Sequence, residues 1–227
     1  MKIKHFFFDL DHTLWDYDQA SHETLTEIYE HFNLGTYEAS QRTFLETFYR
    51  VNGKLWQLYN EKRIDRDYIK KQRFRKIFNQ LDMDPSRSFE VSQYFILNCS
   101  KKSYLMPDTL SALDYLKTKY TLHIITNGFK DSQGSKVKHS RLDGYFDQII
   151  TSECADSRKP APEIFEYSLR QAGASKSDSI MVGDNNSTDI AGAQNFGMRS
   201  VFYDPSGKKK SLADYTIQSH RELIDLF

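Results

Sequence analysis

Two kinds of hydrophobic pattern divide the chain. A short apolar run, Ile3 to Phe8, stops abruptly at Asp9, Leu10 and Asp11, and such a run predicts a buried strand. From Tyr17 to about Ser100 the apolar residues recur at helical spacing. Leu25, Ile28, Tyr29 and Phe32 mark one helix ending near Gly35, and Phe44, Phe48, Val51, Leu55 and Tyr59 a second. Tyr68, Phe74, Ile77, Phe78 and Leu81 mark a third, broken at Pro85, and Phe89, Tyr94, Phe95 and Leu97 a fourth. Beyond Met106 the pattern alternates. It predicts helices over 108–118 (with Leu110, Leu113 and Leu116 inward), 131–140, 162–172, 188–196 and 220–226. Strands are predicted over 121–126, 146–151, 179–182, 200–203 and 214–217. Repeated strand–helix units imply an α/β fold with a mostly parallel sheet covered on both faces. The helical block between the first strand and the rest reads as a small inserted bundle.

Composition narrows the partners. Lys plus Arg and Asp plus Glu both number 31 in 227 residues, so no net field recruits a nucleic-acid polymer or an acidic membrane. Asp9, Asp11, Asp16 and Asp18 follow the first apolar run at once, which fits neither a signal peptide nor a membrane span, and a cytoplasmic protein is expected. Cys99 and Cys154 form neither a disulfide framework nor a CxxC pair. No zipper-like stripe supports an oligomer, which leaves a monomer as the expectation. The bases of the helical block (Lys54, Lys62, Arg63, Arg66, Lys70, Lys71, Arg73, Arg75 and Lys76) read as solvated helix faces, with one or two facing an anionic substrate as the alternative. Trp15, Tyr17 and Trp56 can stack on a substrate ring, although packing is the plainer reading.

The chemistry lies where strands end. Ligands of open parallel sheets gather outside the carboxyl ends of the strands. Asp9 and Asp11 close the first strand, Thr126-Asn127-Gly128 follows a second, and Gly183-Asp184 with Asp189 follows a third; Lys159-Pro160 precedes a helix. Each group alone has a mundane reading as a turn or helix start. As a set they suggest phosphoryl transfer. A phosphate monoester repels an attacking anion unless a cation held by hard oxygens offsets its charge. Asp9 can attack phosphorus, while Asp11 can protonate the leaving oxygen and then activate water. Asp184 would complete a magnesium site. Thr126 can donate to the phosphoryl oxygens, and Lys159 can hold nucleophile and phosphate together. Asn127 has two readings, phosphate contact or cap of the next helix.

This set, in this order, resembles the haloacid-dehalogenase-like hydrolase superfamily. Asp9-Leu10-Asp11-His12-Thr13-Leu14 looks like its first motif, Thr126-Asn127 its second, Lys159-Pro160 its third, and Gly183-Asp184 with Asp189 its fourth. The resemblance implies a Rossmann-like catalytic core over residues 1–15 and 104–227, with an α-helical cap over 16–103. It also implies Asp9 as nucleophile, Asp11 as acid/base and as a metal ligand through its backbone carbonyl, Asp184 as a magnesium ligand, and Asp189 in support. Thr126-Asn127-Gly128-Phe129 with Gln133 and Lys136, and Ser152-Glu153, are similar to the noncanonical pyrimidine nucleotidase group. The implied function is a magnesium-dependent phosphomonoester hydrolase using an aspartyl-phosphate intermediate, with nucleoside 5′-monophosphates as substrates. The alternatives are another small phosphorylated metabolite, such as phosphoglycolate or a sugar phosphate, or a sugar-phosphate mutase. A dehalogenase needs no acid two residues after its nucleophile, and a relic binding domain predicts a lost core residue where none is missing. Thr13 is expected to stabilise the turn leading into the cap.

Overall fold

In the computed structural model, which describes residues 2–227, the first apolar run forms β1 (His5–Phe8). It is followed by β2 (Thr121–Thr126), β3 (Gln148–Thr151), β4 (Ser179–Gly183), β5 (Arg199–Tyr203) and β6 (Tyr215–Ile217). Among the described residues they make one six-stranded sheet in the order β3-β2-β1-β4-β5-β6, every pair parallel. A parallel sheet is buried on both faces, which explains the near-continuous apolar runs of β1 and β4. The order reverses direction between β1 and β4, the crevice where such sheets bind ligands.

Alternation along β1 divides its three phenylalanines, all fully buried, between the two faces. Phe7 joins a cluster with Ile125, Ile150, Phe165, Met181 and Phe196. Phe6 meets the Tyr120 and Phe227 rings at 4.9 and 5.0 Å, and Phe8 meets Phe146 at 6.3 Å. Burying each ring contributes roughly 1.5–3 kcal/mol, so the strand carrying Asp9 is firmly anchored.

The chain divides into two compact units, one made of the segment up to Tyr17 together with Ser103–Phe227, the other Asp18–Lys102. The second unit is helical and holds α1 (Tyr17–His31) beyond its first residue, α2 (Gln41–Asn60), α3 (Arg66–Gln80) and α4 (Ser88–Cys99). Ser40 and Asp65 cap α2 and α3, their side chains accepting from the N–H groups of Thr43 and Tyr68. The predicted apolar stripe of α2 is buried throughout. On α4 the expected face is wrong in part, because Phe89 and Leu97 are exposed while Ser88, Val91, Ser92, Phe95 and Cys99 face inward. Small polar residues allow this close approach, with Ser92 Oγ donating to Lys70 O at 2.7 Å. Tyr68 on α3 is likewise exposed, and Arg73 is buried rather than solvated. Its guanidinium lies 4.5 Å from the centre of the Phe95 ring and donates to Asn52 Oδ1, which makes its burial tolerable.

The remaining helices belong to the sheet unit: α5 (Thr109–Lys117), α6 (Lys130–His139), α7 (Ser152–Ala155), α8 (Pro162–Ala172), α9 (Ala191–Phe196) and α10 (Glu222–Leu226). Leu110, expected inward on α5, is exposed, and Ala112 takes an inward position beside Leu113 and Leu116. The helix expected from residue 188 begins instead as a π turn, Asn186–Ile190. Asn185 shapes it, its side chain accepting from the N–H groups of Ser187 and Thr188. No helix among the described residues is long and apolar enough to cross a membrane.

Candidate active site

The register of the sheet places the candidate residues before any side chain is considered. Phe8 lies beside Ile124 on β2 and Val182 on β4, so Asp9 emerges between the ends of those strands. Its N–H donates to Val182 O at 2.9 Å, prolonging the ladder by one bond. Asp184 leaves the end of β4 and Thr126 closes β2.

Lys159 is the hub. Its side chain is almost wholly buried, and its ammonium donates to Asp9 Oδ1, Asp189 Oδ1 and Ile125 O, each at 2.7 Å. An ammonium has three N–H groups, and here each has an acceptor. Asn127 fixes the backbone behind it, with Nδ2 donating to Lys159 O at 2.9 Å and Oδ1 accepting from Lys159 N at 2.8 Å. The Asn127 side chain therefore holds the loop of the lysine, an arrangement distinct from both readings of the sequence. The Lys159–Pro160 peptide is cis.

Asp9, Asp184 and Asp189 bring one carboxylate oxygen each within 4.8 Å of one another. Asp189 is committed on both oxygens, Oδ1 to Lys159 and Oδ2 to the Asn185 N–H at 3.1 Å. Asp184 Oδ1 accepts from the Thr13 hydroxyl at 2.9 Å, while its own N–H donates back to Thr13 Oγ1 at 3.1 Å. Oδ2 of Asp9 and Oδ2 of Asp184 accept no hydrogen bond from the described residues. Gly183 makes room for the group, since a Cβ there would sit 2.3 Å from Asp189 Oδ2 and 2.6 Å from Asp189 Cβ.

Three carboxylates share one buried cation, and the titration behaviour follows. Burial pushes the Asp9 carboxyl well above the usual range; Lys159 opposes this, and the charges of Asp189 and Asp184 add to it. Burial and Asp189 push Asp184 up to about 6, against His12, Thr13 and Lys159. Burial also opposes the charge on Lys159, but Asp189 and Asp9 more than offset it, and its pKa is raised. The cluster thus carries more negative charge than its protein partners neutralise. Its donors are all hard carboxylate oxygens, which suits magnesium rather than a soft thiophilic metal.

Asp11 has partners of its own. Its carboxylate lies outside the three-carboxylate cluster and turns toward α6, accepting from Lys136 Nζ at 2.5 Å and Gln133 Nε2 at 3.1 Å. Thr126 Oγ1 accepts from the Gly128 N–H at 3.0 Å and donates to Gln133 Oε1 at 3.3 Å. Trp15 is fully buried, with the Lys136 ammonium over its ring.

Sequence reasoning missed the role of Thr13, whose hydroxyl orients Asp184 across the sheet rather than serving only its own turn. The signal available was a buried-type hydroxyl two residues after Asp11. Thr13→Val keeps the shape but removes both bonds. Magnesium affinity, read by isothermal titration, should weaken about tenfold or more, as when the partner of a metal-holding residue is lost. Unchanged affinity would mean that Asp184 is held without Thr13.

The chain belongs to the haloacid dehalogenase-like hydrolase family, whose model matches residues 6–203. Pyrimidine 5′-nucleotidase PynA of Streptococcus pneumoniae is 28% identical over 230 residues, covering 99% of this chain and 95% of that protein. Pyrimidine 5′-nucleotidase YjjG of Escherichia coli is also 28% identical over 230 residues, covering 100% and 98%. The crystal structure of Bacillus subtilis YfnB bound to magnesium superposes with a TM-score of 0.90 at 22% identity, covering 100% of this chain and 99% of that one. The fold is thus the α/β Rossmann-like fold of this family, with a parallel-sheet core and an inserted helical cap region.

Proposed function

We propose that this protein is a magnesium-dependent phosphomonoester hydrolase working through an aspartyl-phosphate intermediate, with nucleoside 5′-monophosphates as its substrates. The observation that carries the chemistry is the division of labour on Asp9. One oxygen is held by Lys159, and the other accepts no hydrogen bond from the described residues. A carboxylate anchored on one oxygen and open on the other is prepared to attack.

In the first step Asp9 Oδ2 forms a bond to phosphorus as the bond to the leaving oxygen breaks. Asp11 supplies the proton that the leaving alkoxide takes up. In the second, Asp11 removes a proton from water, the water oxygen attacks phosphorus, and the bond to Asp9 breaks to release inorganic phosphate. Lys159 offsets charge on the nucleophile and the phosphoryl group, and Thr126 turns its hydroxyl from the long bond to Gln133 toward a phosphoryl oxygen. Asp9, Asp184 and the backbone carbonyl of Asp11 would hold magnesium, with Asp189 holding Lys159. The bound ion would offset phosphoryl charge and orient it.

The nucleotide assignment draws on two relatives that match nearly the whole chain and are named as pyrimidine 5′-nucleotidases, and on the Thr126-to-Lys136 pattern. The helical unit Asp18–Lys102 is assigned the role of specificity cap. Phosphate release from UMP, CMP, dTMP, AMP, phosphoglycolate and sugar phosphates, measured with magnesium, is the test. Highest kcat/KM on pyrimidine monophosphates is expected; a preference for phosphoglycolate or a sugar phosphate would reject the nucleotidase reading but not the phosphatase one.

A further inference from the structure

We infer that Gln133 and Lys136, one helical turn apart on α6, are positioning residues that aim the Asp11 carboxylate at the reacting oxygen. The inference rests on the proposed phosphatase reading and assigns that site two further residues.

The geometry is specific. Residues three apart on a helix share a face, so α6 presents both side chains to the same target. Both are buried, at 2% and 6% exposure, although each is polar and long. Burying such side chains costs conformational entropy and desolvation, and the hydrogen bonds they make must offset that cost. Lys136 Nζ reaches Asp11 Oδ1, and Gln133 Nε2 reaches Asp11 Oδ2. The amide orientation is determined by its neighbours. A carboxylate only accepts, so the NH₂ end faces Asp11, and the carbonyl end accepts from Thr126. Gln133 thus spans two loops that both carry proposed chemistry.

Each Asp11 oxygen is therefore held by a different donor, which fixes the plane of the carboxylate as well as its position. Two bonds use half of the four lone-pair sites of a carboxylate and leave one on each oxygen for exchanging a proton. Lys136 is itself restrained. Its ammonium sits 4.4 Å from the Trp15 ring centre and 5.7 Å from that of Tyr17. Trp15 is tied to the Asp11 loop, its N–H donating to Leu10 O at 2.8 Å and its carbonyl accepting from His12 N at 2.9 Å. Gly128 leaves the space Gln133 fills, as a Cβ there would sit 2.1 Å from Nε2 and 2.9 Å from Cγ. The loop after β1 and α6 thus clamp Asp11 from two sides.

A clamp on the proton-transfer group predicts a dependence on the leaving group that a structural role does not. An alkoxide needs a proton to leave, whereas dinitrophenolate leaves without one. Both substrates pass through the same phosphoenzyme, whose hydrolysis again needs Asp11. Gln133→Met keeps length and bulk while removing both bonds. On the alkyl monophosphate that wild type hydrolyses fastest, kcat should fall about 10–100-fold, part of the usual contribution of a placed acid–base group, with KM little changed. With 2,4-dinitrophenyl phosphate the variant should show a rapid burst of one phenolate per enzyme, followed by slow turnover and accumulation of phosphoenzyme. Lys136→Met should give the same split, and Lys136→Arg should recover part of it. These two also decide the matter if Gln133→Met does not fold. Equal losses on both substrates without a burst, a change confined to KM, or wild-type kinetics would overturn the inference while leaving the phosphatase reading intact. A wild-type protein inactive on every phosphate monoester would overturn both.

Discussion

Asp9→Asn protein is expected to release no measurable phosphate, a loss of about 10⁴-fold or more in kcat, and yet to melt at a higher temperature than wild type in the absence of magnesium. The first half follows from the proposed chemistry, since an amide cannot form the acyl phosphate and loss of a nucleophile is among the costliest changes an enzyme suffers. The second half follows from electrostatics. The carboxyl of Asp9 is buried beside Asp184 and Asp189, with a single shared lysine. Its folded pKa lies well above its unfolded value, so the folded chain retains a proton that the unfolded chain has released. Stability from this group is present below the unfolded pKa and is lost as pH rises through the folded one; at neutral pH the ionised carboxylate is a burden. Asparagine is nearly isosteric, still accepts from Lys159 and carries no charge. The expected result is a higher melting temperature for the variant in the absence of magnesium. Calorimetry with and without magnesium, beside a phosphate-release assay, checks both halves. Near-wild-type turnover would remove Asp9 from the nucleophile role, and a lowered melting temperature would refute the electrostatic account.

Lys159→Met should act in the opposite direction on stability. Methionine fills the volume but leaves Asp9, Asp189 and Ile125 O without their donor. Removing one partner of a buried charge group typically costs about 3–5 kcal/mol, because the charges left behind cannot return to water. Urea unfolding should show that loss, and added magnesium should recover part of it by binding the folded state. Turnover should fall about 10²–10³-fold in magnesium, as for loss of a placed electrostatic group. A stability loss under about 1 kcal/mol, the range of exposed ion pairs, would mean that the carboxylates relax apart and that Lys159 is no hub.

The fold was legible because its signals are periodic. The apolar runs of β1, β2 and β4 and the stripe of α2 are long or pure enough to be read directly. The misreadings share a cause. On α4, Phe89 and Leu97 look like core residues, but Ser88, Ser92 and Cys99 occupy the buried face because α3 packs close enough to require small side chains. Arg73 was hidden similarly, since only three-dimensional packing brings the ring of Phe95 under its guanidinium. At the site, Asp9 and Asp184 stand out in sequence because charge at the end of an apolar strand needs compensation, while Lys159 and Asp189 gain weight only as members of the same set. The roles of the supporting residues do not. Thr13, Gln133 and Gly183 fall within recognisable motifs, but what each does is visible only when the sheet order brings residue 13 beside 184, residue 133 beside 11, and residue 183 against 189. Asn127 shows the same limit, because its partners lie 32 positions away on the backbone of Lys159.

The central place of β1 has a consequence during synthesis. Its hydrogen-bonding neighbours are β2, beginning at Thr121, and β4, ending at Gly183. As the ribosome extends the chain, Phe6, Phe7 and Phe8 must wait for more than a hundred residues before the first neighbour exists, and for most of the polypeptide before the second. Such distant pairing slows folding and leaves a sticky, unpaired strand exposed in the interim. The nascent chain is therefore most vulnerable to association with other chains, and most dependent on chaperones, while the segment that bears Asp9 is already made but has nothing to pair with.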